Sequence, residues 1–264
     1  MSTLTLREAP PERLDFLSLS PLSLSRLSQG EAERLEVGTS RRGMRLGDCF
    51  SVSLDGSDTL TIEGGHERLD RVGASLSEGT IRVVGDVGQR LGAGMAAGTL
   101  TVTGHAGPYA ASGATGGTIT IEGDAGDFAG GAVYAAKAGL DGATLIIRGT
   151  AGDHCGDRMR RGLILAGRTG AHAGARMIAG TLAALEVGDL PGYGMRRGTL
   201  VVGRHGALSP TFVETGSHDL VFLRLLARQL NSLSEAHAAL LAKPLRRYSG
   251  DLATLAKGEI WVAG

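Results

Sequence analysis

Apolar and polar residues alternate in short bursts along the middle of the chain, and each burst opens on glycine. Gly98-Thr-Leu-Thr-Val-Thr-Gly104 returns as Gly117-Thr-Ile-Thr-Ile-Glu-Gly123, and the same phrase opens at Gly79, Gly142, Gly162, Gly180 and Gly198. The steps between openings are 19, 19, 25, 20, 18 and 18 residues. Two positions after the glycine stand Ile81, Leu100, Ile119, Ile164, Leu182 and Leu200; in the Gly142 copy the aliphatic residue comes one position late, at Leu145. Asp58 opens a degenerate copy with Leu60 and Ile62, and Gly258 a last one with Ile260 and Val262. Alternation with period two, filled by β-branched residues and bounded by glycine, predicts one short strand per repeat. Such a strand cannot bury its apolar side alone, whereas stacked repeats can. The pattern therefore predicts an all-β solenoid, a right-handed parallel β-helix of about 18–25 residues per coil. The left-handed hexapeptide alternative needs an aliphatic residue at every sixth position, and the steps from Ile121 to Asp127 and from Val84 to Arg90 break it.

A second phrase joins the strands. Gly88-x-x-x-Gly92-x-x-Met95-x-x-Gly98 recurs as Gly152, Gly156, Met159, Gly162 and as Gly170, Gly174, Met177, Gly180, with Met195 three before Gly198. Methionine at one fixed coil position reads as a column filling the solenoid core rather than as a soft-metal ladder. The glycines read as corners that need positive φ or close packing.

The ends differ from the middle. Residues 1–50 carry short apolar segments broken by Pro10, Pro11 and Pro21 and read as N-terminal strands and a cap, with the β-helix over 51–207. Residues 208–250 read as a helical cap or docking segment: Ser217 is placed to cap a helix with Leu223, Leu226, Ala227 and Leu230 on one face, and Ser232 with Glu235 has capping-box spacing for a second that stops before Pro244. Residues 251–264 hold the final strand.

Composition narrows the function classes. The 264 residues include 43 Gly, and 27 Lys+Arg balance 27 Asp+Glu. That balance excludes a binder working by phosphate neutralisation, and the aliphatic content excludes a disordered chain. Two cysteines, Cys49 and Cys155, are too few for a disulfide scaffold and read as reduced thiols. No signal-peptide core and no apolar run long enough to span a membrane is present, so a cytoplasmic location is expected.

Asp153, His154, Cys155 and Asp157 form the densest set of possible metal ligands, yet neighbours on an extended corner point apart, and no metal site is expected. His105, His172 and His205 occupy corners at differing offsets. Arginines form a clearer pattern. Arg158 and Arg176 each stand four before a strand glycine, and Arg160–Arg161 and Arg196–Arg197 stand just before theirs. Stacking brings these like charges together, which calls for acidic partners or a bound anion, and marks the six as candidates for anion or partner docking. Arg41, Arg42 and Arg45, near Met44, are candidates to extend the strip. No catalytic residue is assigned.

The joined phrases, G-x-x-x-G-x-x-M-x-x-G followed by G-T-[LI]-x-[VI]-x-G, resemble the C subunit of formylmethanofuran dehydrogenase, and most of all its counterpart in the formyltransferase/hydrolase complex of aerobic methylotrophs. The resemblance spans roughly residues 55–207. It implies a right-handed β-helix within a larger complex, with the reactions on amidohydrolase-like, formyltransferase and molybdopterin-protein-like subunits. It further implies a methanofuran-like carrier with a polyglutamate tail, a metal in another subunit, and formyl passing from tetrahydromethanopterin to the carrier before release as formate. This chain is then a non-catalytic scaffold. The alternatives are the C subunit of a molybdenum or tungsten dehydrogenase, a β-helix domain serving a glutamate synthase-like amidotransferase, a self-assembling structural β-helix, and a secreted polysaccharide-cleaving β-helix. The last is disfavoured by one Trp and no leader.

Overall fold

The computed structural model describes residues 1–41, 43–217 and 220–264. In chain order the elements are β1 (Ser2–Leu6), β2 (Leu14–Asp15), α1 (Pro21–Leu24), α2 (Gln29–Glu33), α3 (Leu46–Cys49), β3 (Phe50–Ser53), β4 (Thr59–His66), β5 (Leu69–Asp70), β6 (Thr80–Val87), β7 (Thr99–Val102), β8 (Thr118–Ile121) and β9 (Asp141–Ala151). They continue as β10 (Arg161–Thr169), β11 (Thr181–Val187), β12 (Arg197–His205), β13 (Val213–Gly216), α4 (Val221–Asn231), α5 (Glu235–Leu241), β14 (Leu245–Gly250) and β15 (Lys257–Ala263). The chain is mostly β, built on a thirteen-stranded sheet ordered β13-β14-β15-β12-β11-β10-β9-β8-β7-β6-β4-β1-β3. From β1 to β15 every ladder runs parallel. The ends turn antiparallel, through β3 at one edge and β14 and β13 at the other.

The repeat phrase sets the register. Leu60, Ile81, Leu100, Ile119, Leu145, Ile164, Leu182, Leu200 and Ile260 pair in one unbroken column, and each is fully buried. The late residue of the Gly142 copy does not shift this register. Leu145 pairs with both Ile119 and Ile164, and the extra residue is taken up as an irregularity opposite Arg161 and Leu163. Met95, Met159, Met177 and Met195 are wholly buried, as a core column requires. Their spacing to glycine has a packing cause. A Cβ on Gly180 (φ +99°) would lie 2.8 Å from Met159 Cε, and one on Gly198 (φ +109°) 2.9 Å from Met177 Cε. Each methyl occupies the space that the glycine of the next repeat leaves open.

Corners are linked as regularly as strands. Tyr109 N donates to Asp127 O at 2.9 Å, Phe128 N to Asp153 O at 2.8 Å, His154 N to Ala171 O at 2.9 Å and His172 N to Asp189 O at 2.8 Å. Asp side chains add a second link from repeat to repeat: Asp127 accepts from Asp153 N at 2.9 Å and Asp153 from Ala171 N at 2.7 Å.

The outward face of the sheet has two halves. Its central positions are Arg82, Thr101 and Thr120 on β6 to β8, then Ile146, Leu165, Ala183, Val201 and Trp261 on β9 to β12 and β15. The second set is buried in a core of its own beneath Leu223, Leu226 and Leu230 of α4 and Leu240 of α5. The helix faces agree with the sequence pattern, but the caps differ. Leu220 is the N-cap of α4 and Ser234 that of α5, neither with a side-chain cap bond, so the cap of α4 is Leu220 and not Ser217. Ser232 closes α4 instead, its hydroxyl donating to Gln229 O at 2.7 Å. Two strands, β13 and β14, flank the helices, and α1, α2 and α3 occupy the N-terminal region beside the expected strands.

Candidate anion- and partner-docking site

The six arginines fall into two groups. Arg160 and Arg161 lead into β10, Arg196 and Arg197 into β12, and the repeat between them contributes Ile178 and Ala179. With repeats about 4.8 Å apart, the two pairs stand roughly 10 Å from one another. Together with Leu255 they line a groove of about 420 Å³. Arg161 Nε lies 2.8 Å from Asp141 Oδ1 and Arg160 Nη1 lies 3.6 Å from Oδ2. The hydrogen bond to Asp141, reinforced by its charge, holds the Arg161 guanidinium above its ordinary pKa. Among the described residues no carboxylate pairs with Arg196 or Arg197, and Lys257 stands beside Arg197 in register. Among the described residues only Asp141 pairs with any of the four guanidiniums, and it meets Arg160 and Arg161, so the groove is left positive.

Arg158 and Arg176 occupy a separate corner column, both at φ +53°. They share Asp157, whose side chain is 2% exposed. Arg176 Nε is 2.8 Å from Oδ1, Arg158 Nε is 3.9 Å from Oδ2, and Arg158 Nη1 donates to Ala136 O at 3.0 Å. The expected extension toward the N-terminus is not found. Arg45 is the N-cap of α3, which leads into β3 at the far edge of the sheet, and Arg41 precedes it there; Arg42 lies outside the described residues.

The Asp153–Asp157 cluster splits as its local geometry requires. Cys155 points into the core, where burial pushes its thiol up to about 12. Asp153 accepts a backbone N–H and Asp157 holds the arginines. Among the described residues no three His, Cys, Asp or Glu side chains are arranged to hold a metal ion. His105 Nδ1 accepts from Asp124 N at 2.9 Å, and His205 Nδ1 lies 2.7 Å from Gly206 O, so neither joins His172.

The sequence reading missed what His154 and His172 do. Tyr109, Phe128, His154 and His172 stack face to face, with centroids 5.1, 4.8 and 4.9 Å apart, and Tyr193 meets His172 edge-on at 5.8 Å. The signal was present: each of the four stacked rings stands two after a repeating glycine, Gly107, Gly126, Gly152 and Gly170.

Stacked parallel strands, a half-covered outer face and an arginine groove define a repeat-built, mostly β protein. No family profile matches the chain. It is 71% identical over 263 residues, 99% of each chain, to the C subunit of the Fhc formyltransferase/hydrolase complex of Methylorubrum extorquens. A chain in the crystal structure of the formyltransferase/hydrolase complex FhcABCD from Methylorubrum extorquens, solved with methylofuran, superposes at a TM-score of 0.97 with 70% identity over 99% of both chains. The chain belongs to the family of C subunits of formyltransferase/hydrolase complexes.

Proposed function

We propose that this chain is the non-catalytic scaffold of a cytoplasmic complex that moves formyl from tetrahydromethanopterin to a methanofuran-like carrier and releases formate. The chemistry then belongs to amidohydrolase-like, formyltransferase and molybdopterin-protein-like partners, one of them holding a metal. The scaffold reading is supported by how the buried titratable groups are used. Asp70 accepts from Gln89 N, Asp157 holds two arginines, His237 bridges Ser234 and Ala166, and Asp251 accepts from Gly194 N. The two free thiols are buried, which fits a reducing compartment. We read the sheet as one wall of a right-handed parallel β-helix over 51–207, with 1–50 as N-terminal cap, 208–250 as flank and 251–264 as final strand. The repeat-to-repeat hydrogen bonds at the corners support this reading.

The observation that carries the proposal is the excess of positive charge in the Arg160, Arg161, Arg196 and Arg197 groove, in a family whose solved complex holds methylofuran. The groove takes the anionic tail of the carrier or an acidic partner segment. The test replaces all four arginines by Glu in the assembled complex. A rise of at least tenfold in KM for the carrier with kcat retained supports tail binding, and loss of a subunit supports partner docking. Unchanged carrier affinity together with unchanged assembly overturns the groove's role.

A further inference from the structure

The repeat between β8 and β9 is longer than its neighbours: Ile121 and Ile147 pair in register but stand 26 residues apart in sequence, against 19 from Val102 to Ile121. The seven surplus residues are taken up in the loop around residues 131–138. Ala132 N donates to Asp157 O at 3.1 Å, and Arg158 Nη1 holds Ala136 O at 3.0 Å. At the outer end Tyr134 is 99% exposed. A groove of about 480 Å³ runs between this loop and the aromatic stack, lined by Tyr109, Phe128, Tyr134, Asp157, Arg158 and Arg176 among others.

We propose that this groove receives an acidic segment of another subunit of the complex, with Tyr134 as the anchor and Arg158 and Arg176 taking its carboxylates. The inference builds on the scaffold reading above and is independent of what the Arg196–Arg197 groove binds. Three features argue for it. Among the described residues Asp157 is the one acid lining the groove, and it is buried beneath two guanidiniums, so the open side carries net positive charge. Both faces of Phe128 are covered by neighbouring rings, so the stack offers ring edges outward. Edges are the electropositive part of an aromatic ring and favour oxygen anions. Exposed tyrosine flanked by arginine is also the composition of interface hot spots. A second copy of this chain with its two-fold axis through the groove would bring two positive grooves together, so an acidic partner is favoured over self-association.

The test uses the complex assembled from all its subunits. With Tyr134→p-benzoylphenylalanine in place, photolysis is expected to cross-link this chain to one other subunit, within a segment carrying Asp or Glu. No product, a product with a second copy of this chain, or a product at a segment without acidic residues overturns the proposal. Tyr134→Glu, at a fully exposed position, is expected to weaken association of that same subunit at least tenfold while the KM for carrier stays unchanged. Undiminished association also overturns it.

Discussion

His237 Nε2 stands 2.8 Å from the carbonyl oxygen of Ala166, so an imidazole on α5 closes a hydrogen bond onto strand β10. A carbonyl only accepts, so Nε2 carries the proton, and Nδ1, 2.8 Å from Ser234 Oγ, accepts from that hydroxyl. Burial lowers the pKa of this histidine below 6.5, with the Ala166 bond opposing and Arg148 assisting. The folded state therefore binds its proton less readily than the unfolded state. Stability from this group is complete above pH 6.5 and is lost as pH falls through the depressed folded value. Calorimetric melting from pH 8 to 5 is expected to show that loss, and His237→Gln to flatten it at a cost of about 1–3 kcal/mol at neutral pH.

Gly180→Ala is expected to destabilise the fold by roughly 1–3 kcal/mol, because it combines a disfavoured φ with contact on Met159. Gly113 has φ +68° and nothing within 4 Å of an added Cβ, so Gly113→Ala is expected to cost less. Urea unfolding of the pair measures the difference.

The two halves of the outer face are expected to respond unequally. Leu165 is fully buried beneath the helical flank, and Leu165→Ala is expected to cost about 2–5 kcal/mol. Thr120 holds the equivalent position on the bare half, where Thr120→Ala is expected to stay within about 0.5 kcal/mol. Denaturant midpoints compare them directly.

Among the described residues Asp141 is the one carboxylate paired with arginines of the groove. Asp141→Asn is expected to tighten binding of an oligoglutamate peptide several-fold and to steepen its salt dependence, while Arg196→Glu with Arg197→Glu does the reverse. Fluorescence anisotropy at two ionic strengths reads both.

Both thiols are buried, and burial pushes each above its ordinary value, Cys155 to about 12. A thiol reagent is expected to label neither cysteine rapidly in the native protein and both after denaturation. Fast native labelling of Cys155 would contradict its place in the core.

The inner column was readable because Leu or Ile stands two positions after glycine in every glycine-led copy but that of Gly142. Leu145 shows how firmly packing sets register, since a misplaced residue is absorbed locally. The arginines were readable as charge but not as geometry. Spacing gives height along the stack, whereas Arg158 and Arg160, two residues apart, turn into different grooves. The ring stack escaped notice because its members are Tyr, Phe and His, alike in shape but not in letter. The helical flank was visible in α4 itself, while its footprint lay in the change from Thr101 and Thr120 to Leu165, Val201 and Trp261 on strands far earlier or later in the chain. The misjudged helix starts followed from polar residues near the true caps, Leu220 and Ser234, at positions where no side-chain bond forms.

The rims of the sheet run antiparallel, β1–β3 at one end and β15–β14–β13 at the other, while every ladder from β1 to β15 runs parallel. A newcomer at either rim meets β3 or β13 rather than the glycine-led repeat strand on which the parallel stack continues in register. Continuing the parallel stack at either pole would first require displacing these rim strands.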